Sequence, residues 1–229
     1  MDFLRCRTSC RLADGRLTGT LEHIDWSLFH SVNAAVATRD WLEDPATAFG
    51  SFAVPLYAAA TIALWLLARP YGEAKWKLAC TAALSSAALA MVANQAISHI
   101  WERPRPYVAH PGLTHLLSSA SPDPSFPSDH AATAFAIAFA VLAFSRKAGI
   151  GFLLAATVIG LSRVALGLHY PSDVVAGILV GWAAAMLVTR LGAPLLARIV
   201  AIVSRVTDPL LEPVWKRLGP TPRERAAER

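Results

Sequence analysis

The sequence predicts an all-α polytopic membrane protein, a helical bundle of five to six transmembrane helices with interfacial helices beside them. Of 229 residues, 55% are apolar and only 16% are charged, against about 25% charged in an average soluble domain. The mean hydropathy is +0.43. The apolar residues gather into runs that cross, or nearly cross, a hydrocarbon core about 30 Å thick, and the charged ones cluster at the ends of those runs. The net charge of +5, from 21 basic and 16 acidic side chains, therefore reads as a record of membrane orientation. With no basic patch, a nucleic-acid partner is not expected. Cys6, Cys10 and Cys80 form neither a CxxC pair nor an even disulfide set.

Residues 1–23 carry Arg5, Arg7, Arg11 and Arg16 but no apolar stretch of the roughly 7 to 15 residues that a cleavable signal peptide needs. They are expected to form a flexible basic tail. Residues 24–36 (IDWSLFHSVNAAV) are apolar but interrupted by Asp25, His30 and Asn33, and too short to span, so they read as an interfacial or half-inserted helix. Spans are expected at about 47–68, 78–101, 128–144, 150–168 and 171–189. Their Ala, Gly and Ser content (AATAFAIAFA, VVAGILVGWAAA) suits close helix packing. From 194 onward LLARIVAIVSRV is amphipathic, with Arg198 and Arg205 on one flank; it reads as a surface helix, with a short final span as the alternative. The organisation is thus one membrane domain over 24–212, followed by a polar tail at 213–229.

The connections alternate in charge. Arg69, Lys75 and Lys77 follow the first span, Arg146 and Lys147 the third, and Arg190, Arg198 and Arg205 the fifth. By the positive-inside rule these ends are cytoplasmic, and the other two connections face outward. The basic tail conflicts with an outside N-terminus, so either an N-terminal helix also crosses or the tail is an exception to the rule.

The two outward connections hold the polar residues that apolar packing does not explain. The first contains Glu102-Arg103-Pro104-Arg105-Pro106-Tyr107 and ends in Ser125-Phe126-Pro127-Ser128-Asp129-His130; the second runs from Ser162-Arg163 to His169-Tyr170-Pro171-Ser172-Asp173. Ser128 stands where it would cap the following helix, whose unpaired amide groups make an anion seat. Each proline of RPRP biases the preceding arginine away from helix, and guanidinium forks bind phosphate oxygens in pairs. Arg163 lies inside an apolar helix, where an unpaired charge costs at least about 2.5 kcal/mol, so it requires an anion; an ion pair with Asp173 is the plain alternative. Asp173, in the first turn after Pro171, can reach back to one nitrogen of His169 and leave the other as a free lone pair. His130 is placed to protonate a departing oxygen. A metal set of His110, His115, His130 and the aspartates lacks any compact ligand spacing, so no metal or other cofactor is expected.

RPRP, PSDH and SRx5HxxxD, in this order and spacing, resemble the type 2 phosphatidic acid phosphatase superfamily of membrane lipid phosphatases over about residues 94–182. The resemblance implies that His169 attacks phosphorus to give a phosphohistidine, Asp173 orients it and His130 protonates the leaving group. It implies that Arg105, Ser128 and Arg163 hold the phosphoryl oxygens. The family pattern has a lysine seven residues before Arg105, where this chain has Ser98, and a glycine where it has Asp129. Arg103 is the expected substitute for the lysine, and Asp129 is grouped with the phosphate-binding set. Both departures resemble the bacitracin-resistance branch, the undecaprenyl-diphosphate phosphatases.

The expectation is a metal-independent enzyme that removes the terminal phosphate of a polyprenyl diphosphate at the outer face of a bacterial plasma membrane. Its partners would be the lipid substrate and the bilayer, with Trp101 and Tyr107 placed to touch lipid at the interface. A phosphatidylglycerophosphate or phosphatidic acid phosphatase would use the same residues. A transporter is disfavoured, since transport sites sit near the midplane on broken helices, often in repeated halves, whereas these charges lie at one membrane edge.

Overall fold

A computed structural model describes residues 15–68 and 74–217. Among these residues the regular structure is all helical, without strands: α1 (Gly15–Ala37), α2 (Asp40–Leu67), α3 (Ala74–Ile100), α4 (Pro106–Ala109), α5 (Asp129–Phe144), α6 (Arg146–Ala165), α7 (Pro171–Leu191) and α8 (Ala193–Arg217). Helices α3, α6 and α7 contain segments long and apolar enough to cross a membrane, and Phe52–Leu66 of α2 and Asp129–Phe144 of α5 are shorter apolar helices. These five correspond to the five expected spans. Arg69, and Arg5, Arg7 and Arg11 of the expected tail, lie outside the described residues.

Helix α5 is the hub, packed against α3, α6 and α7 and touching α2. At 16 residues it is about 24 Å long, short for a span. It tolerates this because neighbours enclose it: Ala131, Ala132, Ala134, Ala136, Ala138 and Ala140 are all buried. Small side chains let the backbones close in. A Cβ added at Gly177 of α7 would lie 2.7 Å from the Ser128 carbonyl oxygen, and one at Gly181 2.5 Å from that of Ala132. Tyr57 of α2 fastens the other side, donating its hydroxyl within 3.0 Å of the Ala134 carbonyl and 2.9 Å of the Phe152 carbonyl. Outside this core, Ile150, Leu154, Val158 and Leu161 of α6 and Val175, Leu179 and Trp182 of α7 are exposed apolar side chains. Such rows on so many helices are what a lipid-facing belt requires.

Several boundaries differ from expectation. Residues 15–23, assigned to the tail, are helical; Leu21, Ile24 and Leu28 recur at helical spacing and stay exposed, which makes them a continuation of the same apolar face. At the other end α8 runs through 213 to Arg217, because Trp215 is buried and donates its indole N–H to the Leu66 carbonyl at 3.1 Å. Only Ser145 separates α5 from α6; it ends the one and caps the other by accepting from the Ala148 amide. Helix α6 stops at Ala165, three residues short of the expected 168, since Gly167 has φ +81° and a Cβ there would sit 2.5 Å from the His115 carbonyl oxygen.

Candidate active site

The C-terminal ends of α3 and α6 and the N-terminal ends of α5 and α7 meet at one end of the bundle, and the singled-out residues collect there. The turn after α6 sets the spacing of the third motif. With Gly167 in the left-handed region, the Leu168 and His169 amides both fold back onto the Arg163 carbonyl, at 3.1 and 3.3 Å. Pro171 then starts α7, a favoured first helical residue. The five residues between Arg163 and His169 are thus the length of one helix end plus one reversal.

His169 is buried. Its Nδ1 lies 2.7 Å from the Ser125 carbonyl oxygen, and because a carbonyl only accepts, Nδ1 carries the proton. Nε2 is left with the lone pair, 3.3 Å from Nη1 of Arg105. The Asp173 carboxylate approaches Nδ1 only to 3.8 Å, beyond hydrogen-bond range. The expected direct orientation of His169 by Asp173 is therefore replaced by a relay. Asp173 Oδ2 accepts the Ser125 hydroxyl at 2.5 Å and the Tyr170 amide at 2.9 Å, and the Ser125 carbonyl holds the imidazole. Ser125 is fully buried; the sequence shows it in the polar end of the first connection but assigns it no role, and its place beside PSDH is the available signal.

Arg105 is in the extended conformation its following proline favours, with φ −68° and ψ 156°. It is buried and pinned by the Asp123 carbonyl at 2.8 Å and the Leu168 carbonyl at 3.3 Å, which aims it at His169. Ser128 is fully buried and caps α5 as expected, accepting from the Ala131 amide at 3.5 Å. His130, in the first turn, lies within electrostatic reach of Arg163, His169 and Arg105. Arg163 is 3% exposed, with Nε 3.4 Å from the Ser162 hydroxyl.

Two expected phosphate ligands are placed differently. Arg103 donates Nη1 to Asp173 Oδ1 at 2.6 Å and to the Ser172 hydroxyl at 2.7 Å, and Nη2 to Asp25 Oδ2 at 2.8 Å. The Tyr170 ring centroid is 3.9 Å from its guanidinium carbon. Burial opposes the charge, and Asp173 and Asp25 more than offset that, so the guanidinium pKa is raised. A fork committed to two carboxylates is not the free clamp expected in place of the lysine. Asp129 turns its carboxylate to α3, accepting from Asn94 at 2.6 Å and Gln95 at 3.4 Å. Asn94 also donates to the Pro127 carbonyl at 3.0 Å, so Asp129 holds the start of α5 against α3. Ser98 is buried and bonds the Gln95 carbonyl at 2.9 Å.

The remaining polar groups of these connections are structural in their contacts. Tyr107, expected at the lipid, donates its hydroxyl to the Ser121 carbonyl at 2.7 Å and accepts the Ser121 amide at 3.0 Å. Trp101 stays 64% exposed. The His110 ring lies 3.8 Å from that of Trp26, and the His115 amide donates to Asn33 at 2.9 Å. Among the described residues no three His, Cys, Asp or Glu side chains converge as a metal-holding group.

This end of the molecule can hold an anion among Arg105, Arg163 and the first amides of α5, with the unprotonated Nε2 of His169 beside Arg105. The chain is similar to known proteins in sequence and in fold. The chain is 28% identical to undecaprenyl-diphosphatase BcrC of Bacillus subtilis over 85% of its own length and 97% of that protein. It is 31% identical to the putative undecaprenyl-diphosphatase YbjG of Escherichia coli over 70% of its length and 79% of that protein. The fold matches the crystal structure of Aquifex aeolicus LpxE with a TM-score of 0.59, at 24% identity, over 73% of this chain and 95% of that one. The family model of the PAP2 superfamily matches residues 78–196, the stretch that supplies every residue of this site except Asp25, and the chain accordingly belongs to the PAP2 superfamily.

Proposed function

We propose that this chain hydrolyses the terminal phosphate of a polyprenyl diphosphate, releasing the polyprenyl monophosphate and inorganic phosphate. Nε2 of His169 attacks the terminal phosphorus; an N–P bond forms as the bridging P–O bond breaks, and His130 gives its proton to the departing monophosphate oxygen. Water then attacks the phosphohistidine, His130 takes back a proton, and phosphate leaves. Arg105, Arg163 and the amides that follow Ser128 stabilise the charge on the transferring oxygens. The observation that carries the reading is the tautomer of His169: the Ser125 carbonyl keeps the proton on Nδ1 and leaves the Nε2 lone pair beside Arg105.

The choice of a diphosphate follows from charge. Ser98 adds no cation, and Arg103 is engaged by Asp25 and Asp173, so the seat has fewer free positive groups to stabilise a poor leaving group. A phosphate monoester leaves more easily than the alkoxide of a lipid monophosphate. The similarity to BcrC and YbjG supports the same substrate class. Orientation follows from Lys75, Lys77, Arg146, Lys147 and Arg190, which lie at helix ends opposite the site; the positive-inside rule then turns the site to the outer face of a bacterial plasma membrane.

Phosphate release from a panel of polyprenyl diphosphate, polyprenyl monophosphate, phosphatidic acid and phosphatidylglycerophosphate tests this reading. The diphosphate should have the highest kcat/KM by about tenfold or more, a transition-state difference of about 1.4 kcal/mol. Ser98→Lys should narrow the gap. A tenfold preference for a lipid monophosphate would reject the substrate while leaving the phosphatase chemistry intact.

A further inference from the structure

Helix α1 lies outside the matched stretch 78–196, yet it reaches the catalytic residues. Asp25, Phe29 and Asn33 recur at intervals of four and are all buried, so they form one inward-facing row. Phe29 packs on the Tyr170 ring, with centroids 5.6 Å apart. Asn33 clamps the turn that precedes His169, donating to the His115 carbonyl at 2.8 Å and the Ala165 carbonyl at 2.9 Å. Asp25 caps α7 from another helix: its Oδ1 accepts the Ser172 amide at 2.9 Å, one of the unpaired donors of that helix end. Its Oδ2 accepts the Ser172 hydroxyl at 2.6 Å and Arg103 Nη2 at 2.8 Å.

We propose that Asp25 is a positioning residue for phosphoryl transfer, acting on His169 through Arg103 and Asp173. The inference rests on the reading of His169 as the nucleophile. The contacts make a continuous path: Asp25 to Arg103, Arg103 to Asp173, Asp173 to the Ser125 hydroxyl, and the Ser125 carbonyl to Nδ1 of His169. Two carboxylates share one guanidinium, so the cluster is net negative beside an imidazole that becomes cationic as its nitrogen bonds phosphorus. That charge stabilises the transition state more than the ground state. Without Asp25, the Arg103 fork is free to close on Asp173 with both arms, which neutralises the carboxylate and draws it from Ser125. Asp25 makes none of the contacts expected of a phosphate ligand, so its loss should fall on kcat and spare KM.

The test uses the full chain in detergent with the lipid phosphate that the wild type turns over best. Asp25→Asn removes the charge while keeping an acceptor, and should lower kcat by about 10- to 100-fold with KM within about twofold. In an Arg103→Gln background the same substitution should change kcat by less than about twofold, since residues acting through one network are not additive. Asp25→Glu keeps the charge, folds more readily if the carboxylate is needed for assembly, and should run at least about fivefold faster than Asp25→Ala. Independent, multiplying losses in the double variant would overturn the inference. So would Asp25→Asn with wild-type kcat and only a lowered thermal midpoint, or a Glu variant as slow as Ala. A wild-type chain inactive on every lipid phosphate would instead reject the phosphatase reading itself.

Discussion

At one end of α3, Arg103 is shared between Asp25 and Asp173; at the other, Lys77 pairs with Asp208 and donates to the Ser204 hydroxyl at 3.1 Å. The ammonium group also lies 5.5 Å from the Trp65 ring and 5.7 Å from that of Trp215. Both clusters hold a cation in an ion pair, Lys77 buried and Arg103 half-buried, about 35 Å apart along the helix, and both join an outer helix to the core: α1 at the first, α8 at the second. They differ in where the contacts end. Around Lys77 the donors meet a carboxylate, a hydroxyl and two aromatic faces, which leaves a clasp. Beside Arg103, the relay ends in an imidazole whose Nε2 keeps its lone pair next to Arg105 and the first amides of α5. Burial of charge by itself marks a cost; under the proposed function, the lone pair is where the chemistry occurs.

Substitutions at the two ends should therefore separate activity from stability. The largest effect is expected at the lone pair: His169→Gln should reduce phosphate release to background while the thermal midpoint in detergent stays close to wild type. Asp173→Asn should cost less than the roughly 10⁴-fold loss that a wrong tautomer causes in a Ser-His-Asp triad, because the Ser125 carbonyl fixes the tautomer. A loss of about 10²- to 10³-fold in kcat is expected, the range for one electrostatic stabiliser. A loss equal to that of His169→Gln would show that Asp173 bears on the imidazole directly.

Packing between the two ends comes next. Gly177→Ala places a Cβ 2.7 Å from the Ser128 carbonyl oxygen and 2.9 Å from the Ala131 Cβ, so the start of α5 must move. Displacement of catalytic groups by about 1 Å costs on the order of a hundredfold in rate, and kcat/KM should fall toward that value. The smallest effect on catalysis is expected at the clasp. Lys77→Met leaves Asp208, 23% exposed, without its cation, a destabilisation of about 3 kcal/mol at the low end for a broken buried pair. The midpoint should drop with kcat unchanged, and Lys77→Met/Asp208→Leu should recover much of it.

The same contrast explains what was legible in the sequence. Helix placement followed from apolar runs, and Ser128 as a cap followed from one residue's position before one run. Local signals sufficed there. The spacing of Arg163, His169 and Asp173 was also local, because a helix end, a glycine turn and a helix start lie within eleven residues. Asp25 was visible as a charge interrupting an apolar segment, but its partner Ser172 lies 147 positions away, and only the packing of α1 on α7 joins them. Arg103 was read as free because the motif shows the cation and hides the carboxylates that hold it. The orienting role given to Asp173 passed to a backbone carbonyl at Ser125, and backbone acceptors leave no trace in side-chain identity.

The central claim is that His169 carries the phosphoryl group through Nε2. The direct measurement is to mix the wild-type chain with polyprenyl diphosphate labelled in its terminal phosphate, quench in alkali during turnover, and locate the label by mass spectrometry of the digested protein. The account predicts label on Nε2 of His169, none in His169→Gln, and none from substrate labelled only in the inner phosphate. Label on Asp173, Ser128 or any side chain other than His169 would contradict it.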